Sequence, residues 1–249
     1  MKQRCSIWLG FDPREAAAYA VARSSIRRRL TLPIPIKGLV LDALKADGLF
    51  WRPQEQRGGQ LWDLISDAPC STQFSISRFL VPYLAGQLVG KENDPDRHAG
   101  WALFADCDIL ARANLARLFD LADPSKAVMV VKHDHQPANA MKMDGQVQTT
   151  YGRKNWSSVM LFNVDHPANA RLTPGLVNSV PGRNLHQFCW LEDQEIGELP
   201  VEWNWLAGHS DPSVNPAIVH HTDGSPCMAG FEHAPFANEW RAELERWAL

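Results

Sequence analysis

Short apolar runs alternating with helical stretches predict an α/β protein: a single domain with a mixed, mostly parallel central sheet and helices on both faces. Three observations carry this reading. Runs of strand length stand at Cys5–Phe11, Ile36–Leu41, Trp101–Ala105, Val128–Lys132, Val159–Val164 and Ala217–His221. Capping signals or amphipathic patterning mark helices between several of them. The chain has 249 residues, 45% apolar and 21% charged, which is enough apolar material for one full core.

Taken in order, Cys5–Phe11 is a buried strand, and Asp12-Pro13-Arg14-Glu15 opens a helix. Asp12 caps it, Pro13 suits the first helical position, and Glu15 stands where a capping box wants an acid. Ala18, Val21, Ala22, Ser25 and Ile26 give this helix a small apolar face, and Arg27–Arg29 close it with favourable charge. After the strand at Ile36–Leu41, the stretch Ala43–Pro69 is rich in Gly, Gln and Trp and reads as a long excursion with little regular structure. Phe74–Leu88 reads as a helix kinked by Pro82. Lys91–Gly100 is turn-rich. Trp101–Ala105 is a strand running into Asp106-Cys107-Asp108. Leu115–Leu121 is a short helix, Val128–Lys132 and Val159–Val164 are strands, and weak helices follow at Ala168–Ser179 and Asp193–Glu198. Ala217–His221 is the last strand and Phe236–Trp247 the closing helix.

Composition excludes several classes. The formal charge is −3, against a nucleic-acid partner. No apolar run reaches ~18 residues, against a transmembrane segment. The first residues lack a small-residue cleavage site and read as a strand, not a signal peptide. Five widely spaced cysteines, with no C-x-x-C pair, predict reduced thiols and a cytoplasmic protein.

Ligands in open α/β sheets sit beyond the carboxyl ends of the strands, so the polar groups there are the candidates. Side chains of an extended chain alternate, so Asp106 and Asp108 face one side and Cys107 the other. Two such carboxylates at the end of a buried strand repel, and a divalent cation relieves the repulsion; oxygen ligands suit Mn²⁺ or Mg²⁺. The competing reading is a solvated turn. Ile218-Val219-His220-His221-Thr222-Asp223-Gly224 is a second strand ending in polar groups. His221 completes an Asp–Asp–His site, and Gly224 allows close approach of a phosphate; two surface histidines before a turn are the alternative. Asp193-Gln194-Glu195 stands as an acidic helix start.

The order of these segments resembles the retaining glycosyltransferases of family 8, which adopt the GT-A fold, a Rossmann-like architecture. That family has a strand ending in D-x-D, matched by Asp106-Cys107-Asp108. Upstream it has an Arg before an apolar, proline-containing segment, matched by Ser77-Arg78-Phe79-Leu80-Val81-Pro82. Downstream it has a D-Q-D-like helix and L-P-x-x-W-N, matched by Asp193-Gln194-Glu195 and Leu199-Pro200-Val201-Glu202-Trp203-Asn204. An H-x-x-G follows, matched by His221-Thr222-Asp223-Gly224. After it the family places Lys-Pro-Trp, where this chain has Ser225-Pro226-Cys227; Arg14 and Lys154 are the candidate replacement cations. The resemblance spans roughly residues 5–230.

The resemblance implies a nucleotide-sugar donor, with UDP favoured, and a carbohydrate or other hydroxyl acceptor. It implies Mn²⁺ (or Mg²⁺) on Asp106, Asp108 and His221, and donor contacts from Phe11, Asp12, Arg14, Arg78, Ser157 and Gly224. Arg78 would hold donor oxygens together with Asp193. Gln194, with Asp193, would act at the sugar carbon, and transfer would retain configuration by front-side attack. About residues 1–110 would bind the nucleotide, and the remainder would complete the metal site and face the acceptor. The activity implied is that of a hexosyltransferase. A nucleotidyltransferase, which also uses paired aspartates and a metal, ranks second because Gly10 stands alone where a Gly-rich loop is expected. A non-catalytic nucleotide-sugar-binding module of the same fold is the third reading.

Overall fold

The computed structural model describes residues 4–87, 100–134, 153 and 155–248. The turn expected over 91–99, most of the polar stretch after His133, and Lys154 lie outside the described residues. In chain order, β1 (Cys5–Gly10) leads to α1 (Ala16–Arg29), β2 (Ile36–Leu39) and α2 (Leu41–Ala46). Next come β3 (Gln54–Arg57), β4 (Gln60–Asp63), β5 (Ala68–Cys70) and α3 (Val81–Gln87). β6 (Trp101–Ala105), β7 (Ile109–Ala111), β8 (Val128–Val130) and β9 (Val159–Asn163) follow. The chain closes through α4 (Pro174–Val177), α5 (Gly182–His186), β10 (Ile196–Glu198), β11 (Trp205–Leu206), β12 (Ile218–His220) and α6 (Ala237–Ala248).

Six strands form the main sheet in the order β10-β8-β9-β6-β1-β2. β1 pairs parallel with β2 and β6, and β10 with β8, while β9 runs against both of its neighbours. The period-two alternation of the strands divides the core into two layers. Trp8, Ala102, Phe104, Val130, Met160 and Phe162 pack on one face with Phe79, Leu80 and Ala85. Ile7, Leu9, Leu103, Ala105, Met129 and Leu161 pack on the other with Ala22 and Ile26 of α1. Each large apolar side chain so buried contributes about 1.5–3 kcal/mol. This is the mixed, mostly parallel α/β sheet that the sequence predicts.

A second sheet, β11-β12-β7, positions the site. β12 runs antiparallel to β7 with His220 opposite Ile109. The carboxyl end of β12 therefore lies beside the residue that precedes β7, Asp108. The His221 backbone N–H donates to the Asp108 carbonyl at 3.0 Å and locks this register.

Four local expectations are corrected. The excursion over Ala43–Pro69 is not irregular: it holds α2 and an antiparallel sheet in which β4 pairs with β3 and β5. Arg52 anchors it: its side chain is fully buried, pairs with Asp63 at 2.5 Å and donates to the carbonyls of Val177 and Val180. Pro82 sits in the first turn of α3, where a missing N–H costs nothing, rather than at a kink inside a longer helix. The segment after Asp193 is a short 3₁₀ turn followed by an edge strand of the main sheet, β10. Asp12 does cap its turn, accepting from the Arg14 backbone N–H at 2.9 Å, but Glu15 turns inward to Cys107 instead of closing a capping box.

Candidate active site

β6 is buried along its whole length and ends where the chain turns through Asp106-Cys107-Asp108. One ligand atom from each of Asp106, Asp108 and His220 lies within 4.8 Å of the others. Asp108 Oδ1 is 3.2 Å from His220 Nε2, and both side chains are buried.

The hydrogen bonds behind His220 decide its tautomer. Asn204, fully buried, donates through Nδ2 to Ser158 Oγ at 2.9 Å and to the Asn155 carbonyl at 3.3 Å. Both amide hydrogens are thereby engaged, so Oδ1 is the atom that faces His220 Nδ1, at 3.1 Å. The ring donates its Nδ1–H to that oxygen and turns the Nε2 lone pair toward the Asp108 carboxylate. Two acceptors this close repel unless a proton or a cation lies between them. An imidazole whose outer nitrogen is held by a hydrogen bond is the usual arrangement of a metal-ligating histidine, and two carboxylates with one imidazole suit Mn²⁺. The residues present fit a divalent cation.

The imidazole in this position is that of His220, where sequence reasoning placed His221. The cause is the strand alternation: β12 ends at His220, and the next side chain goes the other way. His221 Nε2 lies 3.0 Å from the Pro235 carbonyl. Burial pulls its pKa below the ordinary 6.5, an effect partly offset by that carbonyl and by the charge of Asp108. Its Nδ1 is buried and has no hydrogen-bond partner.

Arg78 forms one wall. Its side chain is buried against the rings of Phe74 and Phe104, and Nη1 meets Asp106 Oδ1 at 2.8 Å and donates to the Ser157 carbonyl at 2.9 Å. Arg78 is therefore at the site but partnered with Asp106, whereas Asp193 pairs with Arg153 at 2.5 Å. Ser157 Oγ in turn lies 2.7 Å from His186 Nδ1. Asp193 and Gln194 stand exposed on a 3₁₀ turn, where the Gln194 carbonyl accepts from Lys126.

The expected donor contacts beyond β1 have structural tasks. Asp12 is fully buried: burial pushes its pKa up, but hydrogen bonds from Arg14 and the Gln73 N–H outweigh this and hold it below 3.8. Arg14 is drawn to Asp12 at 2.7 Å and to the Ser71 carbonyl. Phe11 stacks edge-on against Tyr19. At Gly224 the space a Cβ would take is filled by the ring of Phe231, 2.4 Å away, so packing alone already requires the glycine.

Sequence reasoning missed Glu15. It is 2% exposed, and burial together with the charges of Asp108, Asp12 and Asp106 pushes its pKa up to about 8. Asn204 was visible inside L-P-x-x-W-N, but nothing in that motif says which side chain it orients.

Among the described residues no helix is long and apolar enough to cross a membrane. No known family model matches the chain. Its fold is that of GT-A glycosyltransferases. It superposes on the bifunctional glycosyltransferase WbbM with TM-score 0.62 and 13% identity, covering 98% of this chain and 50% of that one. It superposes on the galactosyltransferase LgtC, solved in complex with donor and acceptor sugar analogs, with TM-score 0.54 and 14% identity over 97% and 95%. GlyE of Streptococcus pneumoniae TIGR4 gives TM-score 0.56 and 13% identity over 98% and 62%. The chain thus spans about half of WbbM and under two thirds of GlyE. At these identities the likeness is one of fold. Protein CDI of Arabidopsis thaliana is 42% identical over 251 residues, covering 99% of this chain and 88% of that protein, and the chain belongs to the Protein CDI family.

Proposed function

We propose that the chain is a metal-dependent glycosyltransferase, moving a hexose from a nucleotide-diphosphate donor, with UDP favoured, to a carbohydrate or other hydroxyl acceptor. The observation that carries this reading is the convergence of Asp106, Asp108 and His220 within 4.8 Å at the carboxyl end of β6. LgtC, of the same fold, was solved with donor and acceptor sugar analogs, which supports a sugar donor here. A divalent cation on these three residues, Mn²⁺ or Mg²⁺, supplies Lewis-acid neutralisation of the leaving diphosphate.

The chain's own groups do the rest. Asn204 holds His220 with Nε2 free to ligate. Arg78 fixes Asp106 and keeps a buried positive charge beside the site. Ser157, in the 3₁₀ turn that leads into β9, presents the donor-sugar wall. Gln194 and Asp193 match the D-Q-D of the retaining family 8 enzymes, but they precede the amino end of β10, at the end of the sheet opposite Asp106, and are given no part at the sugar carbon. The chemistry is front-side attack with retention: the acceptor oxygen bonds to the sugar carbon as its bond to the diphosphate breaks, and the departing phosphate takes the hydroxyl proton. About residues 1–110 bind the nucleotide, and the protein works in the cytoplasm. The lysine that family 8 places after H-x-x-G is absent here, and the diphosphate charge falls to the cation and Arg78.

The test is release of UDP from UDP-glucose and UDP-galactose. Release that stops with EDTA, returns with Mn²⁺ and is lost in Asp106→Asn supports the proposal. Chelator-insensitive release, or none from any UDP- or GDP-sugar, contradicts it.

A further inference from the structure

Behind the two aspartates lies a buried contact that the proposed reaction does not use. Cys107 sits between Asp106 and Asp108 and is completely buried. Its Sγ donates to Glu15 Oε2 at 2.8 Å. Glu15 is the residue immediately before α1, a helix of fourteen residues that packs along β7. The other carboxyl oxygen, Oε1, is buried and has no hydrogen-bond partner. Glu15 lies close enough to feel the charges of Asp12, Asp106 and Asp108, and its own charge reaches Cys227, in the loop after His221. It therefore lies near the turn that supplies the aspartates and near the loop that follows the histidines.

A buried carboxyl with an unsatisfied oxygen is costly. Core packing alone does not call for one there, since an apolar residue avoids that cost. What Glu15 does supply is a fixed acceptor at the start of a long helix, which pins the middle residue of the Asp-Cys-Asp turn. Fixing Cys107 fixes the middle of the turn from which both neighbouring carboxylates project.

We infer that Glu15 is a positioning residue of the metal centre, acting through Cys107 to hold Asp106 and Asp108 in ligating orientation. This rests on the metal reading above. Outer groups that orient ligands typically affect metal affinity by about 10–100-fold.

The experiment is Mn²⁺ titration of the full chain, followed by the electron paramagnetic resonance signal of free Mn²⁺. It is paired with circular dichroism to confirm folding at the assay temperature. Glu15→Ala and Cys107→Val remove the contact and weaken Mn²⁺ binding by about tenfold or more. Glu15→Gln keeps an acceptor and Cys107→Ser keeps a donor, and both stay within about threefold of wild type, well under that range. Folded Glu15→Ala and Cys107→Val proteins with wild-type Mn²⁺ affinity overturn the inference. So does failure of both to fold, because the contact is then structural. Asp108→Asn separates the two levels: if it binds Mn²⁺ as wild type does, or wild type binds none, the metal reading itself falls.

Discussion

Asp108 Oδ1 and His220 Nε2 face each other at 3.2 Å, with the ring's other nitrogen committed to Asn204. The neighbouring His221 is turned to Pro235. The two adjacent histidines therefore separate in function. His220→Ala should abolish or strongly weaken Mn²⁺ binding, by about tenfold or more. His221→Ala should lower thermal stability by about 1 kcal/mol, the scale of one hydrogen bond, with much less effect on the metal. Calorimetric titration of both variants with Mn²⁺ checks this. The reverse ranking returns the ligand role to His221.

Asn204 is the second group to test. Asn204→Leu removes the acceptor that sets the tautomer and leaves Ser158 Oγ and the Asn155 carbonyl without their donor. It should weaken Mn²⁺ binding by about 10–100-fold, as outer-ligand changes do. Asn204→Asp keeps an acceptor for His220 Nδ1 and should bind Mn²⁺ more tightly than Asn204→Leu. Equal affinities in the two variants would remove the orienting role.

Buried Arg52 binds Asp63 and two carbonyls that tie the β3–β5 sheet to the chain around Val177. Arg52→Ala strands the Asp63 carboxylate, 1% exposed, without its cation. Loss of one partner of a buried pair costs about 3–5 kcal/mol, and urea denaturation should show a loss of this size.

Acid sensitivity should come partly from Glu243 of α6. Burial raises its pKa, but hydrogen bonds from Arg28 and Arg29 of α1 outweigh this and hold it below 4.5. A carboxyl depressed in the folded state binds fewer protons folded than unfolded. Its contribution is therefore complete above pH 4.5 and is lost as pH falls below it. Glu243→Gln should lower stability at neutral pH by about 1–3 kcal/mol, the scale of hydrogen bonds to charged groups. The gap to wild type should narrow on acidification below pH 4.5, as followed by thermal melts across that range.

Much of this architecture was legible because burial and alternation leave a direct mark. Trp101–Ala105 reads as a strand and is buried at every position; Asp106 and Asp108 do converge, but through a turn rather than by strand alternation. β3 was not legible, because Gln54-Glu55-Gln56-Arg57 has no apolar face and is held by hairpin pairing and by Arg52. β10 is three residues long and borrows its order from β8. The choice between His220 and His221 was beyond sequence reasoning, since both stand at the end of an apolar run and the register with Ile109 decides which faces Asp108. Glu15 looked like a capping acid, and the thiol it meets instead, that of Cys107, stands far along the chain.

The central claim is that Asp106, Asp108 and His220 hold a cation for a nucleotide-sugar donor. Its most direct test is thermal melting of wild type and Asp106→Asn with UDP or GDP, each with Mn²⁺ and with EDTA. The account predicts that UDP raises the wild-type melting temperature only with Mn²⁺, since a ligand of the folded state stabilises it in proportion to its binding, and that Asp106→Asn shows no shift. An equal rise with EDTA, or an unchanged rise in Asp106→Asn, would contradict it.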